Sequence, residues 1–171
     1  MIYLIGFMGT GKTTVSEILA KKTGLSIIDS DKYIEKKSRR KIPDIFANEG
    51  EDYFRDLETR GLREVSEAGY GIISCGGGIV LRSENIEIMK SNGQIFCLTA
   101  SPETIFERVK GSTQRPLLNG NMNVEHIRSR LSARKKYYDS ADAIKIKTDG
   151  KTPDEVADEI ISLMEKKLSP G

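Results

Sequence analysis

The opening of the chain restricts its fold more than any other stretch does. An apolar run, "IYLI", leads directly into "GFMGTGKTT" from Gly6 to Thr14, and an amphipathic stretch follows. Gly6, Gly11, Lys12 and Thr13 fill the pattern G-x-x-x-x-G-K-[ST] between an expected strand and an expected helix. Glycines in such a loop let successive backbone N–H groups turn inward toward an anion. The amino end of the helix adds partial positive charge at the same point. The phosphate cradle comprises Gly9, Thr10, Gly11, Lys12, Thr13 and Thr14. Lys12 is expected on the β- and γ-phosphate oxygens, and the Thr13 hydroxyl on Mg²⁺. A glycine-rich turn that binds nothing needs neither the lysine nor this context. The motif establishes nucleotide binding and leaves the phosphoryl acceptor open.

Downstream, short apolar runs alternate with longer amphipathic ones. Strands are expected at "IYLIG", Leu25 to Asp29, Tyr70 to Ser74, Gln94 to Ala100 and Ala143 to Thr148, the last at a sheet edge. Helices are expected at Thr13 to Lys22, Asp31 to Lys37, Ile42 to Ala47, Glu51 to Ala68, Asn85 to Ser91 and Val124 to Tyr138. Ser101-Pro102 should open a further helix running to about Val109. Thr152-Pro153-Asp154-Glu155 reads as a capping box before the last helix. Strands alternating with helices imply a parallel sheet covered on both faces. The expected fold is therefore α/β, a three-layer sandwich around a five-stranded parallel sheet, forming one domain over residues 1–171. Residues 110–122, "KGSTQRPLLNGNM", carry no helical or strand period and have the length of a functional loop.

Bulk properties narrow the partners. The formal net charge is +2, so neither nucleic acid nor an anionic membrane is favoured by overall charge. No apolar stretch reaches the ~20 residues of a membrane helix, and Met1 to Phe7 lacks the basic leader of a signal peptide. Two cysteines, Cys75 and Cys97, fit free thiols in a reducing compartment, and a cytoplasmic location is expected. One histidine, His126, and no metal-ligand spacing argue against structural zinc. Cys75 is expected as a small buried hydrophobe and His126 as a solvated or half-buried structural side chain.

Four weaker motifs follow the first. "DSD" (Asp29 to Asp31) ends the second strand, where ligands of parallel sheets bind. One carboxylate there can organise Mg²⁺ and the other accept a proton, although capping the next helix would explain the pair equally well. "FRDLE" (Phe54 to Glu58) puts Arg55 and Glu58 on one helix face, where a surface ion pair is the ordinary reading. "GGG" (Gly76 to Gly78) allows close backbone approach to a ligand, or is a plain loop. "QRPLL" (Gln114 to Leu118) offers Arg115 as a residue closing on transferring charge, or as a solvated arginine.

Taken together, these motifs resemble the shikimate kinase family over nearly the whole chain. The family pattern is a P-loop, D-x-D, F-R-x-x-E, a glycine triplet, R-P-L-L and R-x-x-Y. Here they are Gly6 to Thr13, Asp29/Asp31, Phe54 to Glu58, Gly76 to Gly78, Arg115 to Leu118, and Arg134 to Tyr137. The resemblance implies a P-loop NTPase-type sandwich, ATP as co-substrate, Mg²⁺, and a substrate-binding segment at about 31–60 with a lid at about 110–122. It implies that Asp31 binds a ring hydroxyl and is the base, and that Asp29 helps hold Mg²⁺ near Ser74. It further implies that Arg55 and Arg134 grip the substrate carboxylate, Glu58 orients Arg55, and Gly76, Gly77 and Gly78 line the pocket. Arg115 would be the lid arginine, and Arg108 would stack on adenine beside Lys151 and Pro153. The usual aspartate at the end of the third strand is replaced by Ser74-Cys75, so Asp29 takes over its role.

The implied reaction is ATP-dependent phosphorylation of the shikimate 3-hydroxyl on the route to chorismate, by a monomer. A gluconate-kinase-like sugar acid kinase is the enzyme alternative, and "FRDLE" with "GGGIV" argues against it. A nucleotide sensor without turnover would not need Asp31, Arg55 and Arg134 together. The N-K-x-D motif of a GTPase and the ABC signature are both missing.

Overall fold

The first strand, β1 (Ile2–Gly6), is buried at all five residues. A strand covered on both faces belongs inside a sheet that is itself covered twice. The computed structural model, which describes residues 1–111 and 123–168, has that arrangement. The other strands are β2 (Ile27–Asp29), β3 (Ile72–Ser74), β4 (Gln94–Thr99) and β5 (Ile144–Lys147). All pair in parallel, in the order β2-β3-β1-β4-β5.

The helices are α1 (Lys12–Thr23), α2 (Ser30–Ser38), α3 (Ile42–Glu49), α4 (Glu51–Glu67), α5 (Ser83–Asn92), α6 (Pro102–Val109), α7 (Val124–Ser140) and α8 (Pro153–Leu168). The pleat of β1 decides which face each one covers. Ile2 and Leu4 point into a cluster with Val15 and Leu19 of α1 and Val156 and Ile160 of α8. Tyr3 and Ile5 point the other way, onto Leu62 and Val65 of α4, Met89 of α5 and Tyr138 of α7. The result is the expected three-layer sandwich.

Local signals hold where side chains can cap. The Ser101 hydroxyl accepts from Thr104 N at 3.2 Å at the start of α6. The capping box is reciprocal: Glu155 Oε2 accepts from Thr152 N at 2.7 Å, and Thr152 Oγ1 from Glu155 N at 3.2 Å. The amino ends of β2 and β3 fall two residues short of expectation. Leu25 is exposed there, and a Cβ on Gly71 would meet Leu25 Cβ at 2.8 Å, while Ile72 N still donates to Ser26 O at 2.8 Å just before the two strands begin. A 3₁₀ turn at Ile79–Leu81 after the glycine triplet was not expected. Gln114 to Leu118, with Arg115 and the expected lid from residue 112 onward, lie outside the described residues.

Register brings the strand ends level. Asp29 of β2 pairs with Ser74 of β3, and Ser74 pairs with Leu4 of β1. The loops leaving these three strands therefore open at one end of the sheet, where open parallel sheets bind ligands.

Candidate active site

The loop after β1 is held by its own atoms. Gly6, Gly9 and Gly11 have φ of 148°, 77° and 98°, values that favour glycine. At Gly6 space is closed as well, since a Cβ would meet the Leu98 carbonyl oxygen at 2.5 Å. Thr10 is buried, and its hydroxyl donates to Phe7 O at 2.7 Å. Thr10 therefore contributes to the cradle by fixing the loop. Lys12 Nζ donates to Gly6 O at 2.6 Å and Phe7 O at 3.0 Å, folded along the loop it would share with phosphate. Thr13 and Thr14 are exposed on the first turn of α1. That turn carries no acidic residue, so its positive end is not neutralised locally.

These residues line one side of a cleft of about 1120 Å³ that also takes in every described candidate substrate residue. Asp29 caps α2, with Oδ1 accepting from Lys32 N at 3.0 Å. Capping and cleft-lining coexist in this residue, so the capping role does not exclude the other. Asp31 sits in the first turn of α2, and its carboxyl is pushed up to about 7. Burial is the main cause, followed by the charges of Glu58 and Asp29, while Lys12 and Arg55 pull in the opposite direction.

Arg55 and Glu58 are 9% and 1% exposed, which rules out a surface ion pair. Arg55 Nη1 donates to Glu58 Oε2 at 2.8 Å, and Nη2 approaches Glu51 Oε1 at 3.2 Å. The guanidinium also lies 5.2 Å from the Phe54 ring centre and 6.0 Å from that of Phe46. Two carboxylates and two rings thus hold one cation at the cleft wall. Burial pushes the Glu58 carboxyl upward, and the Arg55 charge opposes it.

The glycine triplet lines the cleft and is also closely packed against the protein's own side chains. None of its residues has positive φ. Instead, a Cβ at Gly76 would meet Asp31 Oδ1 at 2.5 Å, and one at Gly78 would meet the Arg55 Cζ at 2.7 Å. The triplet makes room for the protein's own charged side chains. Gly76 N donates to the buried Ser30 Oγ at 3.1 Å, tying the triplet to the middle of D-S-D. Arg134 Nη1 donates to Gly77 O at 3.3 Å, and its guanidinium lies 5.7 Å from the Phe7 ring centre. The tyrosine accompanying Arg134 is Tyr138, whose hydroxyl donates to Gly77 O at 2.8 Å. Tyr137, the last residue of the R-x-x-Y stretch, is partly buried and packs against the same core cluster that contains the Tyr138 ring.

At the far end of the cleft, Arg108 donates to Gly9 O at 3.2 Å, Thr148 Oγ1 at 3.0 Å and Thr148 O at 3.1 Å. It spans from the phosphate loop to the segment carrying Lys151 and Pro153, all lining the cleft. Asp149 holds the same segment from the other end of α6. It accepts from Ser101 N at 2.9 Å and Thr104 Oγ1 at 2.6 Å, and these bonds keep its carboxyl down at about 2 against the effect of burial.

Sequence reasoning missed Glu51, Phe46, Ser30, Tyr138 and Asp149. Glu51 precedes Arg55 by four residues, a spacing that could have revealed it; the other contacts cross between elements. Cys75 is 2% exposed and its thiol is pushed well above the usual range, and Cys97 is pushed up to about 11, both by burial. Both are buried free thiols, in surroundings that disfavour the thiolate. His126 is exposed, as expected. Among the described residues, no group of three His, Cys, Asp or Glu side chains could hold a metal.

The family model described as shikimate kinase matches residues 8–165. A shikimate kinase of Thermodesulfovibrio yellowstonii is 46% identical over 170 residues, covering 99% of this chain and 97% of that protein. One from Persephonella marina is 46% identical over 160 residues, covering 94% and 96% respectively. The structure of a shikimate kinase from Acinetobacter baumannii in complex with shikimate matches with a TM-score of 0.89 at 34% identity, covering 97% of this chain and 93% of that one.

Proposed function

The chain belongs to the shikimate kinase family, and we propose that its cleft transfers the γ-phosphoryl group of ATP to the 3-hydroxyl of shikimate, with Asp31 as base. ATP-dependent phosphorylation of shikimate, within aromatic amino acid biosynthesis, is the activity of the family. The observation that carries the residue assignments is the convergence of Asp31, Arg55 and Arg134 with Lys12 on one cleft.

In the proposed reaction the hydroxyl oxygen attacks the γ-phosphorus, and the bond from that phosphorus to the β-bridging oxygen breaks. The hydroxyl proton passes to an Asp31 oxygen, and ADP leaves. A base whose carboxyl lies near 7 takes a proton more readily than an ordinary aspartate and is still substantially ionised at neutral pH. Arg55 and Arg134 bind the carboxylate and orient the ring, and Lys12 with the loop N–H groups holds the phosphates.

Mg²⁺ would be held by the Thr13 hydroxyl and, through water, by Asp29. These are hard oxygen donors, too few to bind the ion alone, which suits an ion arriving with the nucleotide. Bound there, it would neutralise phosphate charge. Arg108, Lys151 and Pro153 are assigned to adenine, and Arg115 to the lid. The reading extends to a single-domain monomer in the cytoplasm. Among the described residues, no helix is long and apolar enough to cross a membrane. The large apolar side chains exposed there are only Met1, Leu25 and Tyr53, which are too few for an extensive association surface.

A coupled ADP-release assay with shikimate and gluconate as separate acceptors tests this reading. Turnover with shikimate and background rates with gluconate are expected. Equal rates with both would overturn the acceptor assignment.

A further inference from the structure

One backbone carbonyl in the cleft has two donors, and they are not equivalent. Gly77 O accepts from the Tyr138 hydroxyl at 2.8 Å and from Arg134 Nη1 at 3.3 Å. The tyrosine bond is the shorter, and its donor is fixed. The Tyr138 ring is part of the core cluster against the sheet, and the residue is 8% exposed. Burial raises its phenol above the usual range, so it remains a protonated donor across the working pH. Arg134 is only half-buried and rests against the Phe7 ring.

We propose that Tyr138 is a positioning residue, whose hydroxyl satisfies Gly77 O so that Arg134 can turn its guanidinium to the substrate carboxylate. Gly77 is half-buried at the cleft wall, and a carbonyl there that loses its donor loses a hydrogen bond. If Arg134 were the main donor to Gly77 O, turning its guanidinium to the substrate carboxylate would strain or break that bond and leave the carbonyl without its donor. With Tyr138 in place the carbonyl keeps its stronger partner, and the long Arg134 bond is given up cheaply. The same hydroxyl anchors the middle of the triplet whose outer members pack against Asp31 and Arg55. The inference rests on the assignment of Arg134 to the carboxylate clamp.

Two isosteric variants test it in the full chain. Tyr138→Phe keeps the ring in the core and removes only the hydroxyl, and Tyr137→Phe removes the neighbouring hydroxyl, which does not reach Gly77. Affinity is titrated for shikimate and for its carboxamide, which lacks the negative charge, and ATP affinity is measured alongside. Tyr138→Phe should weaken shikimate by roughly five- to tenfold, leave the carboxamide within about twofold, and leave ATP unchanged. Tyr137→Phe should change none of the three. An equal penalty on acid and amide would make the hydroxyl a general support of the triplet and overturn the proposal, as would no penalty on either. Arg134→Ala separates this failure from failure of the clamp itself. If that variant distinguishes acid from amide and Tyr138→Phe does not, the positioning role alone is wrong. If Arg134→Ala does not distinguish them, the carboxylate assignment falls first.

Discussion

Arg55 and Glu58 face each other across one turn of α4, joined from Nη1 to Oε2 at 2.8 Å, with almost no surface left to solvent. Removing one member of a buried pair leaves the other charge poorly compensated. Glu51, the other carboxylate near Arg55, is largely exposed. Glu58→Gln should therefore cost roughly 1–3 kcal/mol of stability and raise the KM for shikimate more than that for ATP. Urea unfolding and steady-state kinetics check it. Equal rises in both KM values would mean that Glu58 supports the whole cleft and not Arg55 in particular.

Arg55→Lys preserves charge but loses the planar fork that reaches Glu58 and Glu51 and, in the proposed function, the substrate carboxylate. Shikimate affinity should weaken by about 1.5–3 kcal/mol, typical for a hydrogen bond to a charged group. A ligand without the carboxylate should bind both proteins alike. A matching loss for that ligand would reassign Arg55 to the scaffold.

The raised carboxyl of Asp31 has a thermodynamic consequence. Its value of about 7 in the fold stands against an ordinary 3.8, so between those limits the folded protein binds more protons than the unfolded chain. Stability therefore falls as pH rises through that window, and the full penalty is present above 7. Its upper bound is ~4 kcal/mol, at ~1.36 kcal/mol per pH unit. Asp31→Asn removes the titration. The nucleotide-free variant should be more stable than the parent by ~1–3 kcal/mol at pH 8, with little difference near pH 4, while turnover falls by about two orders of magnitude or more. Denaturant melts at both pH values decide the first point; a gap that does not widen with pH sinks it.

Arg115 is assigned from sequence and resemblance alone. Lys12 already serves the ground-state phosphates in the proposed mechanism, which leaves Arg115 mainly transition-state charge to stabilise. Arg115→Ala should lower kcat by roughly 10²-fold or more and weaken ATP binding far less. Turnover at saturation and direct ATP titration test this. Lost ATP affinity with intact turnover would make Arg115 a ground-state binder.

How much was legible varied with the range of each interaction. The phosphate loop was readable because glycine, lysine and threonine at fixed spacing within one segment carry most of its chemistry. The sheet was readable because β1 is apolar on both faces, and only a doubly covered strand tolerates that. Arg55 with Glu58 was legible as a pair, but its burial was not, because burial comes from the way α4 packs. Tyr138 drew no assignment, because adjacent helix positions diverge by about 100° and only the packed structure shows which of the two tyrosines reaches the Gly77 carbonyl. Asp149 gave no signal, since its partners Ser101 and Thr104 lie far back in the chain on α6.

The missing side chains of Gly76 and Gly78 constrain the mutational paths open to this protein. A methyl group at either position would occupy volume already held by Asp31 or Arg55. Alanine becomes sterically accessible at 76 only once Asp31 has been replaced or has shifted, and at 78 only once Arg55 has. The atoms in the way are the far ends of the Asp31 and Arg55 side chains, so a methyl group is admitted by displacing them. On the mechanism proposed here, each such step moves the base or the clamp, and a lineage reshaping this wall for another acceptor would re-aim its chemistry in the same step.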